Sequence, residues 1–449
     1  MPKLPYERPT IRKLTAGPLA KFGPRAGAHP VAELEGVPVP ELLARFGSPL
    51  FVLSERQLRR SYQALVRTFS TRYPRVQPAW SYKTNYLNAV CRVFHQEGAW
   101  AEVVSGLELE KALANGVPGS QILFNGPGKT TADLARAAEV EAVIHLDNAD
   151  ELHRLLAVAA GRPHRPRVAL RVNLDAGLFP AWDRFGFNLE NGEAWQALGQ
   201  VAAAASLLEL VGLHCHLGTY ILQPAAYGVA ATKLAALALR AQQELQLAVR
   251  YLDLGGGFPS QNTLKGSYLP GPDAAPDLDD YAAAIAEALL GAGFRPHELP
   301  LLVLEAGRAL VDEAGYLLGT VLATKRLADG RRATVLDFGV NLLFTAYWYD
   351  HHISPVRVAS AQTEATVLYG PLCMNIDVVR ESIVLPLLAA GDQVVVHRVG
   401  AYNMSQWQQF INLRPNVVML DLQGNAHVIR EAETLAYLQQ PEHVPQHLR

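Results

Sequence analysis

Residues 101–124 read AEVVSGLELEKALANGVPGSQILF. A short apolar run, a helical segment rich in Leu, Glu, Lys and Ala, and a second short apolar run form one strand–helix–strand unit. The same rhythm extends in both directions from about residue 50 to 305. Its other short runs are LFVL (50–53), PAWSY (78–82), AVIHL (142–146), RVALRV (167–172), LVGLHCH (210–216), VRYLDL (249–254) and LLVLE (301–305). Helical segments such as AATKLAALALRAQQEL (230–245) separate them. Strands that alternate with helices make parallel βαβ units. Eight or nine of them in about 250 residues fit a closed (β/α)8 TIM-like barrel better than the rival open, doubly wound sheet. Beyond about residue 310 the helices vanish. GYLLGTVLATKR, RATVLDF, ATVLYG, DQVVVHRV, NVVMLDL and AHVIREA follow one another as strand-like runs, which predicts a C-terminal antiparallel β domain. The expected organisation is an N-terminal arm over 1–35, a barrel over 36–310 and a β domain over 311–449, with part of the arm able to join the β domain.

The chain has 449 residues, is 49% hydrophobic and carries a formal charge of -2. That is enough to bury a large core, and the near-neutral charge argues against nucleic acid or an anionic membrane as partner. Cys91, Cys215 and Cys373 are too few and too scattered for a disulfide framework or a zinc spacing. The opening MPKLPYERPTIRKL lacks the apolar core of a signal peptide. A soluble, cytoplasmic protein is expected.

Barrel enzymes place their chemistry at the carboxyl ends of the strands. Lys83 follows the PAWSY run, His216 ends LVGLHCH, Gly255, Gly256 and Gly257 follow YLDL, and Glu305, Gly307 and Arg308 follow LLVL. Polar residues after any one strand are ordinary, but this combination is less so. Consecutive glycines leave backbone N–H groups open to an anion, and Arg308 would add a charged fork to the same phosphate. A lysine desolvated near cations has a lowered pKa and becomes a Schiff-base nucleophile. Glu305 would hold a pyridinium proton, and a histidine ring would stack on a flat cofactor. Together these groups meet the needs of pyridoxal 5'-phosphate, with Lys83 as its carrier. His214 and His216 also stand at i and i+2 on one strand, as in metal-dependent amidohydrolases. That chemistry needs further His or Asp ligands at later strand ends, which offer glycines and Glu305, so no metal is expected. His214 is expected to pack in the barrel wall.

From residue 36 to 425 the chain resembles the fold-type III pyridoxal-phosphate decarboxylases, the group of diaminopimelate and ornithine decarboxylases. GSPLFVLSERQLRRSY resembles the opening strand and helix, and YKTN the segment that holds the cofactor lysine. AEVVSGLELEKAL resembles the next βα turn, and LDLGGGFP the phosphate loop. GLHCHLGT is similar to the family's HxHxGS motif, with His216 as the stacking histidine and Thr219 in place of serine. EAGRALV resembles EPGR, with Ala306 for proline. GPLCMNIDVV resembles the segment bearing the active-site cysteine, here Cys373, and GAYNMSQ the segment with a phosphate-contacting tyrosine, here Tyr402. The resemblance implies the barrel and β-domain architecture shared with alanine racemase. It also implies a head-to-tail homodimer with shared active sites, and Cys373 as general acid from the partner.

Two departures concern the substrate. Diaminopimelate decarboxylases carry an acidic residue directly after the cysteine, where Met374 stands here. They also carry an arginine in the segment matching NLLFTAYWYDHHISPV, which has none between Asn341 and Pro355. Unpaired polar groups reject a zwitterionic distal end by several kcal/mol, which is about 10²-fold or more. FNGPGKT and GAYNMSQWQQF look closer to atypical members that decarboxylate amino-acid conjugates in secondary-metabolite pathways. Met374, Asp377, Tyr347 and Tyr349 are the substrate-binding candidates. Arg184, His351, His352 and Trp407 are further candidates for a remodelled pocket. Diaminopimelate decarboxylation proper, a racemase on the same fold and a catalytically dead regulatory protein remain as alternatives.

Overall fold

The computed structural model describes residues 29–178, 182–358 and 360–449. The arm expected over 1–35 therefore lies mostly outside the described residues. Strand β1 (Leu50–Ser54) precedes the eight strands of the barrel: β2 (Val76–Ser81), β3 (Trp100–Val103), β4 (Ile122–Phe124), β5 (Val143–Leu146), β6 (Arg167–Asn173), β7 (Glu209–His214), β8 (Tyr251–Asp253) and β9 (Leu301–Ala306). These eight pair in parallel, each with the next, and β9 returns to β2 with Leu302 opposite Val76, which closes the barrel. The intervening helices start on side-chain caps. Ser105 accepts from the Glu108 N–H at 3.2 Å, Asn148 from that of Glu151 at 2.9 Å, and Thr130 and Asp133 form a reciprocal capping box. Such caps satisfy N–H groups that the first helical turn leaves without partners.

The β domain comprises β10 (Gly315–Arg326), β11 (Arg332–Leu336), β12 (Ile353–Pro355), β13 (Thr363–Tyr369), β14 (Val378–Pro386), β15 (Gln393–His397), β16 (Val417–Leu420) and β17 (Ala426–Arg430). Its strand order is β14-β13-β11-β10-β1-β16-β17, with β15 joined to β10 and β12. Most ladders are antiparallel, while β11–β13 and β1–β16 run parallel. The sequence rhythm counts β1 as a barrel strand, but it pairs instead with Gly315–Leu318 and with β16. All five of its residues are buried. A strand covered on both faces shows no alternation that would reveal which sheet it joins. Its transfer clasps the two domains together and leaves the barrel with eight strands.

Side chains on alternate strand positions share one face, so the barrel interior fills in layers. The lower layer is apolar and includes Ala79, Leu123, Val143, Ala169, Tyr251 and Val303. One step toward the carboxyl ends come Ser81, Glu102, His145, Arg171, His214, Asp253 and Glu305, all buried. The candidate site stands on this polar layer. Among the described residues, no helix is long and apolar enough to cross a membrane.

Candidate active site

Lys83 lies in a single 3-10 turn, Tyr82–Thr84, directly after β2. The β domain holds this turn in place. Tyr402 N–H donates to Thr84 O at 2.8 Å, Ser405 Oγ to Lys83 O at 2.9 Å, and Asn85 Nδ2 to Gly400 O at 3.0 Å. Tyr402 adopts a left-handed φ of 63° to make this contact. A cavity of about 310 Å³ opens above the turn and brings together Lys83, His216, Thr219, Glu305, Arg308 and Tyr402. Gly256, Gly257 and Gly307 form part of its wall.

The lysine is an ion-paired ammonium, contrary to the lowered pKa expected from desolvation near cations. Its Nζ lies 2.5 Å from Glu102 Oε2, which also accepts from Ser81 Oγ at 2.5 Å. Burial lowers the Lys83 pKa, but the Glu102 and Glu305 carboxylates outweigh it and hold the group above its ordinary value. The 36% exposure of its side chain is toward the cavity. Asn125 Nδ2 donates to Glu102 Oε1 at 3.2 Å and also to Glu305, so one amide bridges the two carboxylates. His214 Nε2 lies 3.4 Å from Glu305 Oε2. The His214 ring thus faces the barrel interior and does not pack in the wall.

In the same cavity, Arg308 Nη2 donates to Thr219 Oγ1 at 3.4 Å. Its guanidinium lies 4.7 Å from the Tyr402 ring, 5.3 Å from Tyr349 and 5.7 Å from Tyr220. Arg308 Nη1 is buried without a hydrogen-bond acceptor. The glycine wall is close-built. A Cβ on Gly256 would meet Glu305 O, and one on Gly257, at φ +96°, would lie 2.5 Å from Gly218 O. An unsatisfied guanidinium nitrogen beside bare backbone is a receptor for a phosphate. With a reactive amine, a buried carboxylate and a flat imidazole in the same cavity, the residues present fit pyridoxal phosphate.

His216 is neutral. Burial, with Lys83 and Arg171 adding to it, lowers its pKa to about 3, and its Nδ1 accepts from the Gly256 N–H at 3.2 Å. His216→Ala removes the flat ring and is expected to weaken cofactor binding roughly tenfold, while His216→Phe keeps most of the affinity. Equilibrium dialysis of the two variants checks this. Burial also holds His351 near 3, and His145 and His214 well below their ordinary values. The unfolded chain protonates these imidazoles below about pH 6.5 and the folded chain does not, so their contribution to stability falls as pH drops from there, by up to about 1.4 kcal/mol per group and pH unit. Buried carboxyls raised by desolvation, Glu108 and Glu151 to about 7 and Asp312 to about 6, act with the opposite sign. The imidazole share is therefore read by comparison: between about pH 7.5 and 5 thermal melts should show wild type losing more stability than His216→Phe, and an equal loss contradicts it.

The remaining candidates lie elsewhere. Cys373 is exposed, on the segment between β13 and β14. None of Cys373, Met374, Asp377, Tyr347 and Tyr349 lines the cavity of its own chain. Asp377 accepts from the backbone N–H groups of Val340 and Leu372, at 2.8 and 2.7 Å. Tyr349 is buried beside Arg308, Tyr347 is 38% exposed and Met374 packs on the core. His351 is buried and bonded to Thr345 at 2.8 Å, and the His352 ring lies 4.9 Å from His397. Trp407 packs against Phe51, and Arg184 lies over Phe185. In their place Trp182, Trp348 and Gln406 line the cavity. Two of the barrel's interior groups, His145 and Asp253, join His214 and Glu305 in a cluster whose donor atoms lie within 4.8 Å of one another. The signal for both is strand phase, each standing two residues beyond an apolar interior position.

Residues 58–312 match the family model for the pyridoxal-binding domain of pyridoxal-dependent decarboxylases. The chain belongs to that family. Diaminopimelate decarboxylase of Methanocaldococcus jannaschii is 30% identical over 92% of this chain and 95% of its own length. That of Actinosynnema pretiosum subsp. auranticum is 34% identical over 89% and 90%. The crystal structure of the M. jannaschii enzyme with L-lysine superimposes with a TM-score of 0.85, at 29% identity, covering 93% of this chain and 97% of that one. This pyridoxal-dependent decarboxylase is thus a carboxy-lyase acting on an amino-acid substrate, built as a TIM barrel with a C-terminal β domain, and its cofactor is pyridoxal 5'-phosphate.

Proposed function

We propose that this decarboxylase acts on an amino acid or amino-acid conjugate whose distal end is not a free zwitterion, in a site remodelled from that of a diaminopimelate decarboxylase. One observation carries the reading. Among the described residues, the only charged side chains lining the cavity are Lys83, Glu305 and Arg308, and each is engaged by the cofactor's requirements. The outer wall is Trp182, Trp348 and Gln406. An adjoining cavity of about 230 Å³ shares Trp182 and His216 and gives room for a larger substrate; of its charged lining residues, Arg171 is paired with Asp147 and Glu190 with Lys233, and Asp175 and Asp183 are exposed.

When bound, the cofactor supplies an electron sink for the pair left behind as the carboxylate departs as CO₂. Lys83 is the attachment point, and Glu102 is placed to take the ammonium proton that must leave before the amine can react. Glu305 would hold a proton at the ring nitrogen, Arg308 and the glycine backbone would hold the phosphate, and His216 would lie against the ring without adding charge. The exposed position of Cys373, outside its own chain's cavity, favours a homodimer in which Cys373 of the partner subunit delivers a proton to the substrate carbon. Met374, Asp377 and Tyr347 would then lie near the partner's site. Three unpaired cysteines suit a reducing, cytoplasmic setting.

CO₂ release from a panel of lysine, ornithine, diaminopimelate and N-linked amino-acid conjugates tests the reading. Diaminopimelate is expected to fall about 10²-fold or more below the best substrate in kcat/KM. Diaminopimelate as the preferred substrate contradicts the remodelled pocket. Racemisation without CO₂ release contradicts decarboxylation, as does bound cofactor without any reaction.

A further inference from the structure

The polar layer under the cavity contains a carboxylate pair with no donor between its members. Asp253, near the end of β8, is fully buried, and its Oδ1 accepts from the Gly255 N–H at 2.8 Å. Its Oδ2 is buried with no hydrogen-bond partner. Glu305, on the neighbouring strand β9, is better supplied, because Asn125 donates to Oε1 and His214 Nε2 faces Oε2 at 3.4 Å. Beyond them lie the neutral rings of His145 and His214, 4.9 Å apart, and the Tyr251 hydroxyl, 2.8 Å from His145 Nε2. Two buried carboxylates whose oxygens lie within 4.8 Å of each other do not both ionise.

We propose that Asp253 is a protonated carboxylic acid in the folded enzyme and gives Glu305 a hydrogen bond, so that the pair presents a single negative charge to the ring nitrogen of the cofactor. The proton belongs on Asp253 because Glu305 already accepts from Asn125 and faces His214 Nε2, whereas Asp253 Oδ2 has no partner. Asp253 is thus a positioning residue. Its role toward the cofactor rests on the reading of Glu305 as the ring-nitrogen partner. The charged and titratable groups facing Asp253 point the same way. Burial raises its pKa well above the ordinary value, and Glu305 and Glu102 raise it further. Tyr251 and Cys215, also beside it, are held neutral, their own pKa values raised chiefly by burial. Lys83 spends its charge on Glu102. A cation bound among His145, His214, Asp253 and Glu305 is disfavoured, because Asn125 already aims an N–H donor at Glu305.

Isotope-edited infrared spectroscopy of the wild-type holoenzyme reads the proton directly. At roughly pH 8.5 an exposed aspartate is fully ionised. Asp312, raised to about 6 by burial, is ionised there as well. A protonated-acid carbonyl band that shifts with ¹³C-labelled aspartate and disappears in Asp253→Asn is expected. No aspartate-dependent band, a band that shifts with labelled glutamate instead, or stoichiometric zinc in the purified protein overturns the assignment. The cofactor side is read from the pH dependence of its visible absorbance. Asp253→Asn keeps an N–H donor toward Glu305 and should match wild type. Asp253→Ala should shift the profile and weaken cofactor retention by about tenfold. Identical behaviour of the two variants overturns the positioning role. If Glu305→Gln leaves the absorbance unchanged while the aspartate band persists, the reading of Glu305 fails and the proton on Asp253 stands.

Discussion

Lys83→Ala is expected to abolish the visible absorbance that marks lysine-bound cofactor and to lower turnover by at least about 10³-fold, the scale on which an essential reacting group is lost. Within this cavity no other lysine is available. Lys129, the other buried lysine of the barrel, is committed to Glu151 at 3.0 Å beneath the surface. The substitution should not unfold the protein. Glu102 loses its ammonium but keeps hydrogen bonds from Ser81 and Asn125. The turn itself is held through backbone atoms by Tyr402 and Ser405, and these contacts do not involve the lysine side chain. The Arg308 guanidinium and the glycine wall proposed to hold the phosphate are untouched, so the variant should still bind cofactor, more weakly and without the band. Absorbance spectra, dialysis and CO₂ release measured on one preparation check all three parts.

Cys373→Ala is expected to leave the absorbance and cofactor affinity at wild-type values while lowering kcat about 10²–10⁴-fold, the usual range for a positioned proton donor. The side chain is exposed in the single chain, so its removal opens no core cavity. If the cysteine acts across a two-fold interface, the two inactive variants must complement each other. Lys83→Ala and Cys373→Ala subunits exchanged at random yield half heterodimers, each with one intact site, which restores roughly a quarter of wild-type activity. Recovery no greater than the two variants' own residual rates contradicts the shared site.

The upper rim of the site was legible in the sequence because loops that begin at strand ends expose their residue types without regard to packing. Lys83, His216, Gly256, Glu305 and Arg308 all follow apolar runs, and all meet in one cavity. The layer below was not legible in the same way. Glu102 and Asp253 sit inside apolar runs, and only strand phase reveals that they face inward beside Glu305. Once they do, the electrostatics change sign. Lys83, expected to be depressed by desolvation, is held up by Glu305 and by Glu102, whose contact with the ammonium only the inward strand phase reveals. The strand Leu50–Ser54 was misplaced for a related reason, since a fully buried five-residue run carries no mark of its partners. Met374, Asp377 and Tyr347 lie away from their own chain's cavity, because a resemblance between short segments carries no information on which surfaces the fold brings together.

The identity of the amine that carries the cofactor decides the chemistry of the site. Borohydride treatment of the loaded enzyme, followed by proteolysis and mass spectrometry, fixes the cofactor to its lysine and reads the position. The account predicts the full adduct mass on the peptide containing Lys83 and on no other. An adduct on Lys129 or on any other lysine, with the Lys83 peptide unmodified, contradicts it.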